Sequence, residues 1–121
     1  MEKIVNILGT PYKVICKKYS DEPLFEQRSI DGYSDDIAKE IVVCDMTTQP
    51  QWENTAKELC EKYERLVTRH EVIHSFLSES GLQSSSLQYS GGWAKNEEMV
   101  DFFAIQMPKI IEVFTELEIL D

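Results

Sequence analysis

Both histidines of the chain lie in the segment His70-Glu71-Val72-Ile73-His74. On a helix, residues four apart lie one turn apart on the same face, so both imidazoles can reach one metal ion. The glutamate between them would then lie beside a metal-bound water and could take its proton. The H-E-x-x-H pattern therefore predicts a zinc site that hydrolyses peptide bonds, with Glu71 as the general base.

Two histidines and a water leave zinc one protein ligand short of the His2Glu set. Glu97 and Glu98 begin a later predicted helix, and Asp101 lies four residues after Glu97 on the same face. Such a carboxylate could accept a hydrogen bond from the far ring nitrogen of a liganding histidine, whereas Glu98 has Phe102 at that offset. This pattern favours one zinc per chain with Glu97 as the third ligand and Asp101 as the residue that orients a histidine.

Other interpretations of these acids and histidines stay open. Glu98 could be the ligand instead of Glu97. Both glutamates could also be ordinary first-turn acids, which the helix dipole favours. In that case His70 and His74 would lie on a half-buried helix face without a metal, because a short motif also arises by chance.

Size and charge restrict the class of protein. The chain has 121 residues, 42% of them hydrophobic, and a net charge of −10. This length suits a single domain over residues 1–121. A chain this acidic repels phosphate backbones, so we expect no nucleic-acid partner. The sequence has no apolar run of the roughly 18 residues that a membrane span needs and no signal-peptide pattern, so we expect no membrane partner either.

The number and spacing of the three cysteines bear on the redox state of the compartment in which the protein works. Cys16, Cys44 and Cys60 are odd in number and widely spaced, which argues against a disulfide framework. We expect reduced thiols that pack in the core of a cytoplasmic protein.

The first part of the chain, residues 1–46, is predicted to be mainly strands. Lys3–Leu8 and Tyr12–Cys16 flank a Gly-Thr-Pro turn and suggest a hairpin. Ser29–Tyr33 is a weaker candidate, and Glu40–Cys44 is the clearest strand in the chain. Ser20–Gln27 is polar, contains a proline and is predicted to be a loop. Four short strands with short connections suggest an antiparallel meander.

The motif itself is predicted to lie on a long amphipathic helix within residues 48–80. Thr48 with Gln51 fits a capping box, which predicts the helix start. Gly81 suits a left-handed cap at the helix end, and a break before Thr68 is an alternative to one continuous helix. The inward stripe includes both motif histidines and follows spacings of four and three: Trp52, Ala56, Leu59, Tyr63, Leu66, His70, Ile73 and Leu77.

The last part of the chain, residues 96–120, is predicted to be helical. Gly81–Ala94 is rich in Ser, Gly and Gln and is predicted to be a mobile loop that could close over the site. Asn96 suits a helix cap. Pro108 is expected to kink or split the helix near Met107. We expect Ile110–Leu120 to pack on the core, because it is apolar at helical spacing.

Two segments together, the H-E-x-x-H motif and Asn96-Glu97-x-x-x-Asp101, resemble the gluzincin branch of zinc metallopeptidases. Those enzymes carry N-E-x-x-x-D, or a variant, on a helix after the first motif. The stretch from Glu97 to Pro108, EEMVDFFAIQMP, is similar to small phage- and mobile-element-associated proteins of the ImmA/IrrE type. Phe103-Ala104 and Met107-Pro108 occupy the places of the Phe-Ala and Met-Pro pairs in those proteins.

The resemblance implies an α+β fold of the zincin-like kind. It implies a small antiparallel or mixed sheet of three to four strands packed on the active-site helix and a C-terminal helix. It also implies His70, His74 and Glu97 as zinc ligands, Glu71 as the catalytic carboxylate and Asp101 behind the ligands. This chain departs from the family in having no glycine before His74 and no third histidine.

Several functional expectations follow from the motif and the resemblance. The first is a zinc metallo-endopeptidase with a protein or peptide substrate. Tyr89 or Tyr33 would donate a hydrogen bond to the oxyanion, and the strand Glu40–Cys44 would pair with an extended substrate. The alternative is a catalytically silent zinc-binding module that acts in protein–protein interaction, or a phage-encoded accessory protein.

Overall fold

The computed structural model of the chain describes residues 2–86 and 92–120, which form a four-stranded sheet with helices. The α+β fold predicted from the sequence is confirmed. Short 3-10 turns occupy Tyr19–Asp21, Met46–Thr48, Pro50–Trp52 and Trp93–Lys95. The strands and α-helices, in chain order, are β1 (Glu2–Ile7), β2 (Thr10–Lys18), α1 (Pro23–Gln27), β3 (Gly32–Asp35), β4 (Glu40–Asp45), α2 (Lys57–Glu79), α3 (Leu82–Ser86) and α4 (Glu97–Glu116).

The strand order in the sheet is β1-β2-β4-β3, so the sheet is mixed. The predicted hairpin is confirmed, since β1 and β2 are antiparallel. The predicted meander is wrong, because β4 pairs in parallel with β2 and antiparallel with β3. The physical reason lies in β4 itself: Ile41, Val42, Val43 and Cys44 are all buried, and such a continuous apolar run needs neighbours on both sides.

The segment between β2 and β3 is more ordered than predicted. Residues 20–27, expected to be a loop, contain a 3-10 turn and helix α1. Pro23 begins that helix, and the Glu22 carboxylate caps it by accepting from the backbone N–H of Leu24. The third strand begins at Gly32, three residues later than predicted, because α1 ends only at Gln27.

Helix α2 begins at Lys57 and not near the predicted cap at Thr48. The hydroxyl of Thr48 is already used: it accepts from the backbone N–H of Tyr19 at 2.9 Å and donates to the carbonyl of Asp45. The buried Gln49 side chain caps the next turn instead. From Lys57 the helix is continuous, so the alternative of a break before Thr68 is wrong. Gly81 follows the helix end with φ +85°, the left-handed conformation predicted for it.

Helix α2 and the sheet enclose the core. One cluster of buried side chains contains Phe25, Val42, Cys44, Met46 and Cys60, and a second contains Ile7, Tyr12, Ile41 and Val43. All three cysteines are free thiols; Cys44 and Cys60 are buried and Cys16 is partly buried, as expected.

Helix α4 starts where the sequence predicts. The side chain of Asn96 caps it by accepting from the backbone N–H of Met99 at 3.0 Å. The expected break at Pro108 does not occur, and the helix continues to Glu116. Proline removes the N–H that would pair with the carbonyl of Ala104, and Arg69 of α2 donates to that carbonyl instead, with an Nε–O distance of 2.6 Å.

Only the first half of α4 packs on the rest of the protein. Val100 and Ala104 are buried, and Val100 lies in a cluster with Leu77 and Ile73 of α2. Residues 111–120 are all exposed, so the expectation that Ile110–Leu120 packs on the core is wrong. Across residues 2–86 and 92–120, no helix has both the length and the apolar character needed to cross a membrane.

The predicted loop Gly81–Ala94 contains helix α3 and the start of a 3-10 turn. Residues 87–91 lie outside the described residues, and with them lies Tyr89. The expected mobility of this loop therefore stays a prediction.

Candidate metal centre

Helix α2 directs the two histidines of the motif towards one point. His70 and His74 lie one turn apart, and their Nε2 atoms are 3.1 Å apart. Both side chains are mostly buried, with 21% and 19% of their surface exposed. Because the two histidines are four residues apart on a helix, their imidazole rings converge on one point, as the motif predicts.

Glu97, in the first turn of α4, brings a carboxylate to the same point. Its Oε1 lies 3.1 Å from Nε2 of His74, and its Oε2 lies 3.2 Å from Nε2 of His70. The three residues offer ligand atoms that all lie within 4.8 Å of one another, so they could hold a metal ion. Glu98, the alternative ligand, is exposed and is not part of this group.

Asp101 determines which nitrogen of His70 is free. Its Oδ1 lies 2.8 Å from Nδ1 of His70. An ionised carboxylate only accepts hydrogen bonds, so Nδ1 carries the proton and the lone pair of the neutral ring is on Nε2. That lone pair faces the Glu97 carboxylate, an arrangement that is repulsive unless a proton or a metal ion lies between the two atoms. The donor set therefore fits a bound metal ion.

Glu71 is buried beside this point. It is 8% exposed, and its Oε1 lies 3.9 Å from Nε2 of His70. Burial raises the pKa of Glu71 to about 7; the neighbouring His70 opposes this rise, and the charge of Glu97 adds to it to a smaller extent. A carboxyl group with a pKa near neutrality can both take and return a proton at the pH of a cell. Burial also lowers the pKa of His74, which favours the neutral imidazole that a metal requires.

A cleft crosses the centre beneath the edge strand β3. A cavity of about 410 Å³ on one side of Glu71 is lined by Gly32, Tyr33 and Ser34 of β3 together with His74 and Glu97. A second cavity of about 320 Å³ shares Gly32, His70 and Glu71 and continues past Asp101. The two cavities together form a groove that runs along β3 and passes the candidate ligands.

Two small residues of β3, Gly32 and Ser34, hold this strand close to α2. Ser34 and Ser75 are joined by a hydrogen bond of 2.7 Å between their hydroxyls, and Ser75 is fully buried and donates to the carbonyl of Glu71. At Gly32, an added Cβ would lie 2.7 Å from a methyl group of Val67 and 3.5 Å from Cγ of Glu71. Glycine is thus required for the close approach of the strand to Val67 and Glu71.

The structure brings together His70, Glu71, His74, Glu97 and Asp101. It gives Tyr33 a different partner, because the Tyr33 hydroxyl donates to the Glu22 carboxylate at 2.6 Å. Tyr33 could act as an oxyanion donor only if that bond were broken.

The strand Glu40–Cys44, expected to pair with a substrate, lies between two other strands and has no free edge. That expectation is wrong, and β3 is the strand at the groove.

Sequence patterns missed four residues of the site: Gly32, Ser34, Ser75 and Arg28. Arg28 lines the larger cavity because α1, which was not predicted, places it there. Ser75 directly follows the motif, but a serine on a helix gives no signal of its buried hydrogen bonds. Gly32 and Ser34 became recognisable only once β3 was known to be the edge strand.

Three comparisons with known proteins found no relative of this chain. No family model, no curated protein and no solved structure matches this chain. The function must therefore be argued from the site alone.

Proposed function

We propose that this protein is a zinc-dependent metallo-endopeptidase of the zincin-like kind, with one zinc ion held by His70, His74 and Glu97. One observation carries the proposal. Nε2 of His70 and Oε2 of Glu97 lie 3.2 Å apart, and Glu71 is buried beside them. Two imidazoles and one carboxylate are the ligand set of a catalytic zinc site that keeps one position for water. A structural zinc site would use four protein ligands instead.

Glu71 is proposed as the general base. Zinc in this site would lower the pKa of a water to about 7 and polarise the carbonyl of the substrate. Glu71 would take the proton of the attacking water and pass it to the leaving amine. Asp101 keeps the Nδ1 proton on His70, so that Nε2 stays a ligand and the ring keeps its direction.

The substrate is proposed to be an extended segment of a protein. Strand β3 pairs with β4 on one side only, and its other side faces the groove beside Glu71. A peptide in the groove could pair with this edge and place a carbonyl beside the metal. The acidic chain and its free thiols agree with a cytoplasmic protein that binds no nucleic acid. An origin in a phage or another mobile element rests on the resemblance alone.

The test combines metal analysis with one substitution. Protein purified without added metal should contain about one zinc ion per chain. The variant Glu71→Gln should keep its zinc and lose cleavage of an unstructured protein such as casein by roughly 10²- to 10⁴-fold. Glu98→Gln is the matched control, because Glu98 is acidic, exposed and adjacent to the ligand, and it should change neither property. Full cleavage by Glu71→Gln would show that another group is the base.

The alternative is a zinc-binding module without catalysis that contacts a partner protein. The engaged hydroxyl of Tyr33 favours it, because the one oxyanion candidate within the described residues is already bonded to Glu22. This alternative predicts bound zinc together with no cleavage of a random peptide library. Tyr33→Phe separates the two functions further through kcat: an enzyme that uses Tyr33 loses kcat while it keeps its zinc. Stability does not separate them, because the variant loses the hydrogen bond to Glu22 in either case.

A further inference from the structure

The distal half of α4 carries an apolar face that nothing covers within the described residues. Ile110, Phe114 and Leu117 follow one another at spacings of four and three, and they continue the side of the helix on which the partly buried Phe103 and Met107 lie. Phe114 is 41% exposed and Leu117 is 61% exposed. The opposite side is polar, with Lys109, Glu112 and Glu116. This half of α4 is therefore amphipathic but packs against no other element among residues 2–86 and 92–120.

An apolar groove lies beside the start of that face. It has a volume of about 470 Å³ and runs between α2 and α4. Phe103 and Met107 form its α4 side, so the groove and the exposed face are one continuous surface. Phe76, near the end of the α2 side, is 40% exposed. The full lining is Thr68, Arg69, Val72, Ile73, Phe76, Leu77, Phe103 and Met107.

We propose that a second copy of this chain covers the surface in a two-fold symmetric dimer. The groove belongs to the first half of α4 and the unpartnered face belongs to its second half. Two antiparallel α4 helices can therefore each place their exposed face in the groove of the other. Around an axis near Ile110, Phe114 of the partner subunit would lie against Met107 and the partner's Leu117 would lie against Phe103. Such a self-complementary patch is what an isologous interface requires.

The exposed area reaches what a small specific interface needs. Three large apolar residues of this surface, Phe76, Phe114 and Leu117, are 40–61% exposed, and Ile111 and Val113 flank it at 46% and 50%. At roughly 150–200 Å² for each large side chain, these five residues present on the order of 400 Å². A specific interface buries about 1,000 Å² in total, or about 500 Å² per partner, and the partly buried groove residues supply the remainder. An apolar patch of several hundred Å² often marks a binding site.

The charge distribution permits this pairing despite the net charge of −10. Glu112 and Glu116 lie on the side of α4 that faces away from the groove. The lining of the groove contains no acidic residue. The two copies would therefore meet through apolar atoms, with their carboxylates in water.

The first test measures mass in solution by sedimentation equilibrium between about 1 and 100 μM, a range that covers ordinary dimer affinities. The full chain should sediment at twice its mass of 14.0 kDa. Phe114→Glu and Phe76→Glu, one on each half of the interface, should each weaken the dimer by roughly 30-fold or more. Phe102→Glu is the matched control, because Phe102 is 53% exposed but lies about 120° around the helix from Phe114.

The second test fixes the arrangement. Ile110→Cys should form a disulfide between two copies on mild oxidation, because residue 110 lies near the proposed axis. Glu112→Cys, on the opposite side of the helix, should not. A chain that stays monomeric at all concentrations overturns the proposal, as does a dimer that survives both Phe76→Glu and Phe114→Glu. Masses that grow beyond a dimer, or binding to lipid vesicles without self-association, would point to another occupant and overturn it too.

Discussion

Replacing Arg69 by methionine tests whether one side chain sustains α4 where Pro108 interrupts its hydrogen bonds. Methionine keeps much of the aliphatic stem but removes the donor to the carbonyl of Ala104, a residue that is 1% exposed. A buried carbonyl without a partner costs about 1–3 kcal/mol, so Arg69→Met should lower the free energy of unfolding by that amount. Urea unfolding followed by circular dichroism in the presence of a chelator measures this loss without a contribution from metal.

Pro108→Ala supplies the internal control. It restores an N–H that can pair with the carbonyl of Ala104, so Arg69→Met should cost much less in that background. The double-mutant cycle should therefore give a coupling energy of about 1–2 kcal/mol between positions 69 and 108. Arg65→Met, at an exposed arginine one turn earlier on α2, should change stability by less than about 0.5 kcal/mol.

Equal costs of Arg69→Met with proline and with alanine at position 108 would refute this reasoning and would assign the effect of Arg69 to packing or charge. A second readout connects the interaction to the candidate site. Because α4 carries Glu97 and Asp101, Arg69→Met should also weaken zinc binding, and Arg65→Met should not.

Three further predictions follow from the site and its support. Asp101→Asn should weaken zinc binding by roughly 10- to 100-fold in a competition assay with a chromophoric chelator, because a neutral amide oxygen accepts the Nδ1 proton of His70 more weakly than a carboxylate does; unchanged affinity would contradict that role. Gly32→Ala should destabilise the protein by about 1–3 kcal/mol in thermal unfolding and lower cleavage, because the added methyl pushes β3 away from α2. Hydrogen bonds from Lys39 and Tyr12 lower the pKa of Glu79 from 4.5 to about 2, so its stabilising effect is complete above about pH 4.5 and is lost as the pH falls towards 2. The melting-temperature difference between the protein and Glu79→Gln should shrink over that range, and a constant difference would argue against the lowered pKa.

The site was predictable because its geometry is local. The spacing of four that joins His70 to His74 and Glu97 to Asp101 is a property of any helix, and Asn96 marks the start of the second helix by its own hydrogen bond. Only the packing of α4 against α2, which brings Glu97 to the histidines, could not be predicted from local patterns.

The errors concern interactions between distant parts of the chain. Thr48 does not cap α2 because its hydroxyl is bonded to the backbone of Tyr19, 29 residues earlier. Pro108 does not break α4 because Arg69, 35 residues before Ala104, supplies the missing donor. The parallel pairing of β2 with β4 likewise joins segments that no local pattern connects. Periodicity and capping rules describe a segment in isolation, so they cannot predict hydrogen bonds to residues that are distant in the sequence.

The position of the candidate ligands on two helices has a consequence for folding. His74 is the last candidate ligand on α2, and Glu97 is the candidate ligand on α4. A metal ion bound to both would therefore cross-link the two helices and close the chain segment between them into a loop. Like a disulfide, such a link would restrict the unfolded chain, but it would be reversible and would depend on the supply of metal. The attachment of α4 to α2 would then strengthen and weaken with the concentration of that metal around the protein.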